Sequence, residues 1–456
     1  MIVTVNPSTG RKIAEYELHS ASEVDERIEA AHQAQKIWGR KPVSERVTLL
    51  TSVAEVLRRN KARYAATITG EMGKPLAEAE AEVEKCAVTC EFYASNAEKY
   101  LADEHVESNA SDSRVVFDPL GVVLAIMPWN YPFWQFVRFA APALAAGNGA
   151  LLKHANNVAS CAIQLEALFR EAGTPEGLIS TLMINSTDVA GVLADERVAA
   201  VTLTGSTHVG KIVAAQAGSL MKKQVLELGG SDPFIVLADA DIELAAKMAV
   251  KARFANTGQS CISSKRFIVD ASVADRFVKL FCEGVRTLKT GNPLDRENDI
   301  GPMARENLRD ALHAQVERSL SEGAQLVPGG QPIVSEGYYY LPTVLDHVTP
   351  QMTAAIEETF GPVAAIIRVQ SEEEAIAVAN NTEFGLGAAV WTSNTDNGYR
   401  LARRIEAGAV FVNGLVASDA RLPFGGIKQS GYGRELGGFG IREFTNIKTL
   451  WIGPAD

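Results

Sequence analysis

Four stretches near the start of the chain, residues 23–38, 43–60, 61–72 and 76–100, carry apolar side chains at every third or fourth position among many charges. That period predicts helices with one buried face, a layer that needs a sheet to cover. From Gly121 the pattern changes to short apolar runs at 122–127, 150–153, 179–184, 199–204 and 224–228, with a helix-length segment between each pair. Alternating strands and helices predict a parallel sheet covered on both faces. The grouping gives a Rossmann-like, nucleotide-binding unit over 1–112 and 120–229. A second series at 233–237, 266–269, 363–369, 388–391 and 409–412 predicts another α/β unit over 230–436. Two pieces fit neither series: 113–118, and 445–452, which reads TNIKTLWI. Alternation at a chain end predicts an exposed edge strand that pairs with another element or subunit. Segments 113–119 and 437–456 are therefore expected to hold a homodimer or homotetramer together.

Composition narrows the function classes. The chain has 456 residues, 46% apolar and 22% charged, the profile of a globular protein with room for two or three domains and a site between them. Its formal net charge of −11, without a Lys/Arg cluster, excludes a nucleic-acid binder, which needs a dense basic face. No apolar run is long enough to span a bilayer, and the first thirty residues lack the order of a signal peptide. The expected compartment is cytoplasmic, with no membrane partner. Five cysteines, at 86, 90, 161, 261 and 282, are too few for a disulfide framework. Cys86 and Cys90 share a helix face without a second ligand pair, so core thiols are expected there and no metal centre.

One motif points away from the rest. Gly205–Lys211 reads GSTHVGK, the GxxxxGK of a phosphate-binding loop, between a predicted strand and a predicted helix. Ile212 follows where that loop requires a Ser or Thr hydroxyl for magnesium, so a P-loop NTPase is only a minor alternative. Gly205 is read instead as a tight turn opening a helix whose free N–H groups suit a dinucleotide pyrophosphate.

Six strings in order carry a stronger signal: MPWN at 127–130, LTGS at 203–206, ELGG at 227–230, TGQSC at 257–261, EETFGP at 357–362 and PFGG at 423–426. Together they closely resemble the aldehyde dehydrogenase superfamily over essentially the whole chain. The resemblance implies that family's fold, a cofactor domain, a catalytic domain and a small β oligomerisation element. It also implies a nucleophile at Cys261, whose thiolate would attack an aldehyde to give a thiohemiacetal and then, after hydride loss, a thioester. Asn130 and the Cys261 backbone N–H would form the oxyanion hole. Glu227 would be the general base that activates water. A carboxylate in the apolar VLELGG run is costly to bury, which favours a raised pKa and a chemical role.

The resemblance places Trp129, Thr204, Gly205, Ser206, Glu358 and Phe360 on the cofactor, with Lys153 at the adenosine ribose. The family's KPSE reads KHAN here, and Asn156 stands where NAD-specific relatives have Glu. A carboxylate there would bind the ribose hydroxyls and repel a 2′-phosphate, and Asn156 does neither strongly. NADP is expected to be preferred, with NAD accepted. Within the family, PWNYPFWQFVRF, the KHA variant, LELGGSDPF and NGLVASDARLPFGG most resemble bacterial succinate-semialdehyde dehydrogenases. The implied reaction is NAD(P)-dependent oxidation of succinate semialdehyde to succinate, with glutarate semialdehyde or another short aldehyde as the alternative. Arg138 and Ser418 would bind the substrate's distal carboxylate beside Trp134. Ala255 stands where some relatives carry a second Arg, leaving open whether Arg253 replaces it.

Overall fold

The fold comes from a computed structural model that describes residues 1–453. Two twisted sheets face each other across a cleft. The first has six strands, with Val122–Met127 central, flanked by Gly149–His154 and then Ile179–Thr181 on one side. On the other side lie Val198–Thr204, Lys223–Glu227 and the short strand Gly431–Tyr432. All pair in parallel except the last, which is antiparallel to Lys223–Glu227. The helices Val43–Arg59, Lys61–Met72, Leu76–Leu101 and Pro132–Ala145 share one apolar core with this sheet.

The second sheet has seven strands, with Pro233–Val236, Arg266–Asp270, Val363–Val369, Gly387–Trp391 and Ala409–Val412 parallel. It also contains Thr343–Asp346 and Gln325–Leu326, which the sequence pattern does not predict. The hairpin Ile2–Asn6 with Arg11–Tyr16 is likewise unpredicted. The predicted strand 179–184 stops at Thr181. Beyond it, Met183 bonds to His19 rather than continuing the ladder: its carbonyl accepts from the His19 backbone N–H and its own N–H donates to the ring Nδ1.

Residues 112–119 and 445–452 pair antiparallel over their full length, in a small sheet where Thr445–Ile452 is an edge. The expected boundary at 436 needs correcting. Phe424, Leu436, Ile441 and Phe444 already pack in the first core, because Gly431–Tyr432 returns the chain to the first sheet. The helix Gly437–Arg442 also packs on Leu76–Leu101 and Pro132–Ala145, so within 437–456 it is the strand Thr445–Ile452 that belongs to the small sheet. Among the described residues no helix is long and apolar enough to cross a membrane.

Candidate active site

The C-terminal ends of adjacent strands in the first sheet meet the cleft, as ligand sites do in parallel sheets. Thr204 and Glu227 are the last residues of their strands, Lys153 is next to last in its own, and Asn130 follows Met127 by three. The loops leading into the second-sheet strands Arg266–Asp270 and Val363–Val369 contribute Cys261, Glu358 and Phe360. A cleft of ≈ 220 Å³ is lined by Trp129, Asn130, Thr204, Gly205, Ser206, Cys261, Glu358 and Phe360, with Arg305, Leu308 and others. Eight residues named from sequence, separated by up to 231 positions, thus converge on one cavity.

Cys261 ends a strained loop. Asn256, Thr257 and Gly258 all adopt positive φ, of 54°, 56° and 69°. At Gly258 a side chain would collide with the chain, since a Cβ there would stand 2.4 Å from the Gly361 carbonyl oxygen. Two consecutive non-glycine residues in the left-handed region cost about 1 to 3 kcal/mol each and persist only when their surroundings hold them. They are held here. Glu78 accepts from Asn256 N–H at 2.7 Å, Thr257 Oγ1 donates to the Gly301 carbonyl at 3.2 Å, and Gln259 Oε1 accepts from Ala304 N–H at 2.9 Å. Burial pushes the Cys261 thiol up to about 12, opposed by the nearby charges of Lys265 and Arg138. Cys261 is partly exposed, whereas Cys86, Cys90, Cys161 and Cys282 are free and buried.

Asn130 is held from both sides. Its Nδ2 donates to the Gln259 carbonyl at 3.0 Å, and its own carbonyl accepts from Asn256 Nδ2 at 2.9 Å. One of its two amide protons is left for another acceptor. The next helix, Pro132–Ala145, begins on a buried carboxylate: Glu82 Oε1 accepts from the N–H groups of Phe133 and Trp134 at 2.9 and 3.0 Å. Glu82 is ion-paired with buried Lys74, whose ammonium lies 3.6 Å from the Tyr131 ring centroid. An anion at a helix N-terminus satisfies its orphan donors, so Asn130 and Trp134 emerge from a fixed point.

Glu227 is buried and neither carboxylate oxygen has a hydrogen-bond partner. Burial first, and then the charge of Glu435, push its pKa well above the usual carboxylate range. Gly425 provides its space, because a Cβ there would lie 2.7 Å from Glu227 Oε1. Arg138 requires a correction. It does not stand free with Ser418 but is buried and ion-paired with Glu435, with Nη2 donating to Thr204 Oγ1 at 3.4 Å. A guanidinium already matched by a buried carboxylate has little charge left for a substrate. Ser418 instead accepts a 2.7 Å hydrogen bond from Lys85, whose ammonium lies 4.2 Å from the Trp134 ring centroid.

Arg253 does not replace the Arg missing at 255. It is fully buried and donates to the carbonyls of Val363 at 2.6 Å, Thr359 at 2.8 Å and Gly361, so it braces the loop that carries Glu358 and Phe360. Lys153 donates to Asn156 Oδ1 at 2.9 Å and to the His154 carbonyl at 2.7 Å, and burial lowers its pKa to about 8. Gly205 also departs from expectation. Its φ is not positive and its nearest would-be neighbour is 3.7 Å away, so no tight turn requires it. The steric demand falls on Gly210, where a Cβ would meet the Leu228 side chain at 2.5 Å. Lys211 and Ile212 point outward, which removes the P-loop reading.

The sequence patterns do not single out Lys85, Glu435 or Arg305. Arg305 lies 5.9 Å from the Trp129 ring centroid, and Trp129 packs edge-on against Phe360 at 5.7 Å. No local signal marks these charges, because each acquires its meaning from a residue on another element.

A profile of the Aldehyde dehydrogenase family matches residues 1–450. The chain is 50% identical over 451 residues to a Synechocystis sp. protein named probable succinate-semialdehyde dehydrogenase, NADP(+), with 99% of each chain covered. It is 46% identical over 449 residues to the Escherichia coli (strain K12) succinate semialdehyde dehydrogenase, NAD(P)+, Sad, covering 98% of this chain and 97% of that one. The crystal structure of succinic semialdehyde dehydrogenase from Streptococcus pyogenes in complex with NADP+ matches with a TM-score of 0.97 at 38% identity. That match covers 99% of this chain and 100% of the other.

Proposed function

The chain belongs to the aldehyde dehydrogenase family, and from that premise we propose that it oxidises succinate semialdehyde to succinate, using NADP in preference to NAD. The observation that carries this reading is the near-full-length similarity to succinate-semialdehyde dehydrogenases.

The residues present fit a dinucleotide. Gly229 lets Glu358 come close, since a Cβ there would sit 2.5 Å from a Glu358 oxygen, and Glu358 is oriented by the Gly230 N–H at 3.0 Å. Ser206 caps the helix Thr207–Ser219 by accepting from Val209 N–H, leaving the preceding N–H groups for a pyrophosphate. Glu358 and Phe360 would hold the nicotinamide end with Trp129, Thr204 and Gly205, and Lys153 and Asn156 the adenosine ribose. When bound, the oxidised dinucleotide supplies the hydride acceptor.

In this reading the Cys261 thiol gives up its proton to water, and the thiolate Sγ adds to the aldehyde carbon to form a thiohemiacetal. Its oxyanion is stabilised by the Cys261 backbone N–H and by the Asn130 amide proton not used on Gln259. Hydride loss leaves a thioester on Cys261. Glu227 then takes a proton from water, which attacks the thioester and frees the acid. Burial raises the carboxyl, and a carboxylate with a raised pKa is a stronger base toward water.

A panel of aldehydes of matched length, with and without a terminal carboxylate, run with both cofactors, tests the reading. Succinate semialdehyde is expected to give the highest kcat/KM, higher with NADP than with NAD. Asn156→Glu should move the preference toward NAD by about tenfold or more, through repulsion of the 2′-phosphate. A hundredfold NAD preference in the unaltered enzyme, or a better uncharged substrate, overturns it.

We further propose a homo-oligomer joined through the terminal strand. Ile447, Leu450, Trp451 and Ile452 are 60%, 43%, 51% and 57% exposed on an edge strand, a combination that soluble chains normally cover. Sedimentation should return a dimer or tetramer, and a monomer defeats the proposal.

A further inference from the structure

We propose that Lys85 is a specificity-determining residue that binds the distal carboxylate of the substrate together with Ser418, at a site walled by Trp134. The inference rests on the semialdehyde reading above and extends it to a residue of the helix Leu76–Leu101 that no sequence motif marks.

The geometry supplies a cation, a hydroxyl and an apolar wall. Lys85 Nζ donates to Ser418 Oγ at 2.7 Å and lies 4.2 Å from the centroid of the Trp134 ring. An ammonium has three protons, and Ser418 is its one hydrogen-bond acceptor among the described residues. Ser418, accepting that bond, keeps its own proton for another acceptor. An ammonium and a hydroxyl held 2.7 Å apart, each with protons to spare, suit the two oxygens of a carboxylate.

The charges around Lys85 favour an incoming anion. Of the carboxylates near it, Glu82 is ion-paired with Lys74, and Asp419 is held by Arg421 at 2.6 Å. The neighbouring cation Arg138 is matched by Glu435. Lys85 is therefore the cation of this cluster without an ion pair among the described residues, and it is partly buried. Desolvation first, and then repulsion from Arg138, lower its pKa to about 8. A cation kept short of counter-charge is stabilised when a substrate carboxylate arrives. The Trp134 ring supports the charge electrostatically.

The test is the ratio of kcat/KM for succinate semialdehyde to that for butanal, which cancels changes common to both aldehydes. Lys85→Met, nearly isosteric, should lower the ratio roughly 10- to 100-fold, the range expected for losing a charged hydrogen bond. Lys85→Arg should hold it within tenfold of the unaltered enzyme. In the unaltered enzyme the ratio should fall as pH rises above about 8, where the ammonium is lost. Lys85→Arg should abolish that fall. The pH series needs no variant, so it remains decisive if Lys85→Met does not fold. A ratio unchanged in Lys85→Met, a ratio as low in Lys85→Arg, or a ratio flat with pH overturns the assignment. If the unaltered enzyme shows no preference for the semialdehyde over butanal, the substrate reading itself fails. A strong preference that survives Lys85→Met sinks only the role of the lysine.

Discussion

Cys261→Ser is expected to abolish aldehyde oxidation, with a loss of about 10⁴-fold or more, while leaving the fold intact. A serine hydroxyl at this position keeps the shape of the thiol but loses its nucleophilicity, and burial that already pushes the thiol up to about 12 would penalise an alkoxide further. Stability should change by less than about 1 kcal/mol, because one atom of similar size is exchanged at a partly exposed site. Nicotinamide absorbance follows the loss, and a thermal melt verifies the fold. The same residue should be the site of alkylation. Iodoacetamide is expected to label Cys261 ahead of Cys86, Cys90, Cys161 and Cys282, because Cys261 is partly exposed and the other four are buried. Turnover of the serine variant within tenfold of the unaltered enzyme would remove the covalent mechanism.

How much of this was readable beforehand follows from how local each signal is. The strands Val122–Met127 and Val363–Val369 coincide with their apolar runs, because a buried parallel strand needs apolar residues on both faces and announces itself. The hairpin 2–16 escaped because Arg11–Tyr16 is mostly exposed and so carries little alternation. Thr343–Asp346 escaped because four residues become a strand only beside Val363–Val369. Strained or crowded positions left traces of a different kind. The TGQSC string marks a loop in which Thr257 and Gly258 must adopt positive φ, and ELGG marks a place where Gly229 admits Glu358.

Charged residues on helices were the least legible. Within AEAEAEVEKCAV nothing separates Lys85 from a solvated lysine, and its meaning comes from a serine 333 residues away and a ring on another helix. Arg138 shows the converse. The spacing of Trp134 and Arg138 puts both on one helix face, but Glu435, nearly 300 residues later, engages the guanidinium first. One cation offered by the sequence is thus matched internally, and another, unmarked, is left open.

Glu227→Gln should separate the two halves of the reaction. Gln keeps the shape of a side chain whose oxygens have no hydrogen-bond partner, so the pocket formed by Gly425 should persist. Without a base at 227 the thioester should form and then wait for water. Rapid mixing is expected to show a burst of about one reduced dinucleotide per site, followed by turnover slowed roughly 10²- to 10⁴-fold. Intact-mass measurement should find the acyl group on Cys261. The pH profile gives the sign independently. Burial and Glu435 hold Glu227 protonated to higher pH than an ordinary carboxylic acid, so its basic form appears, and turnover rises, as pH increases through that raised pKa. Glu435→Gln removes the neighbouring negative charge and releases Arg138, and both changes favour ionised Glu227. The rising limb should therefore move to lower pH in Glu435→Gln and vanish in Glu227→Gln. A limb that stays in place in both variants would mean that another group delivers the water.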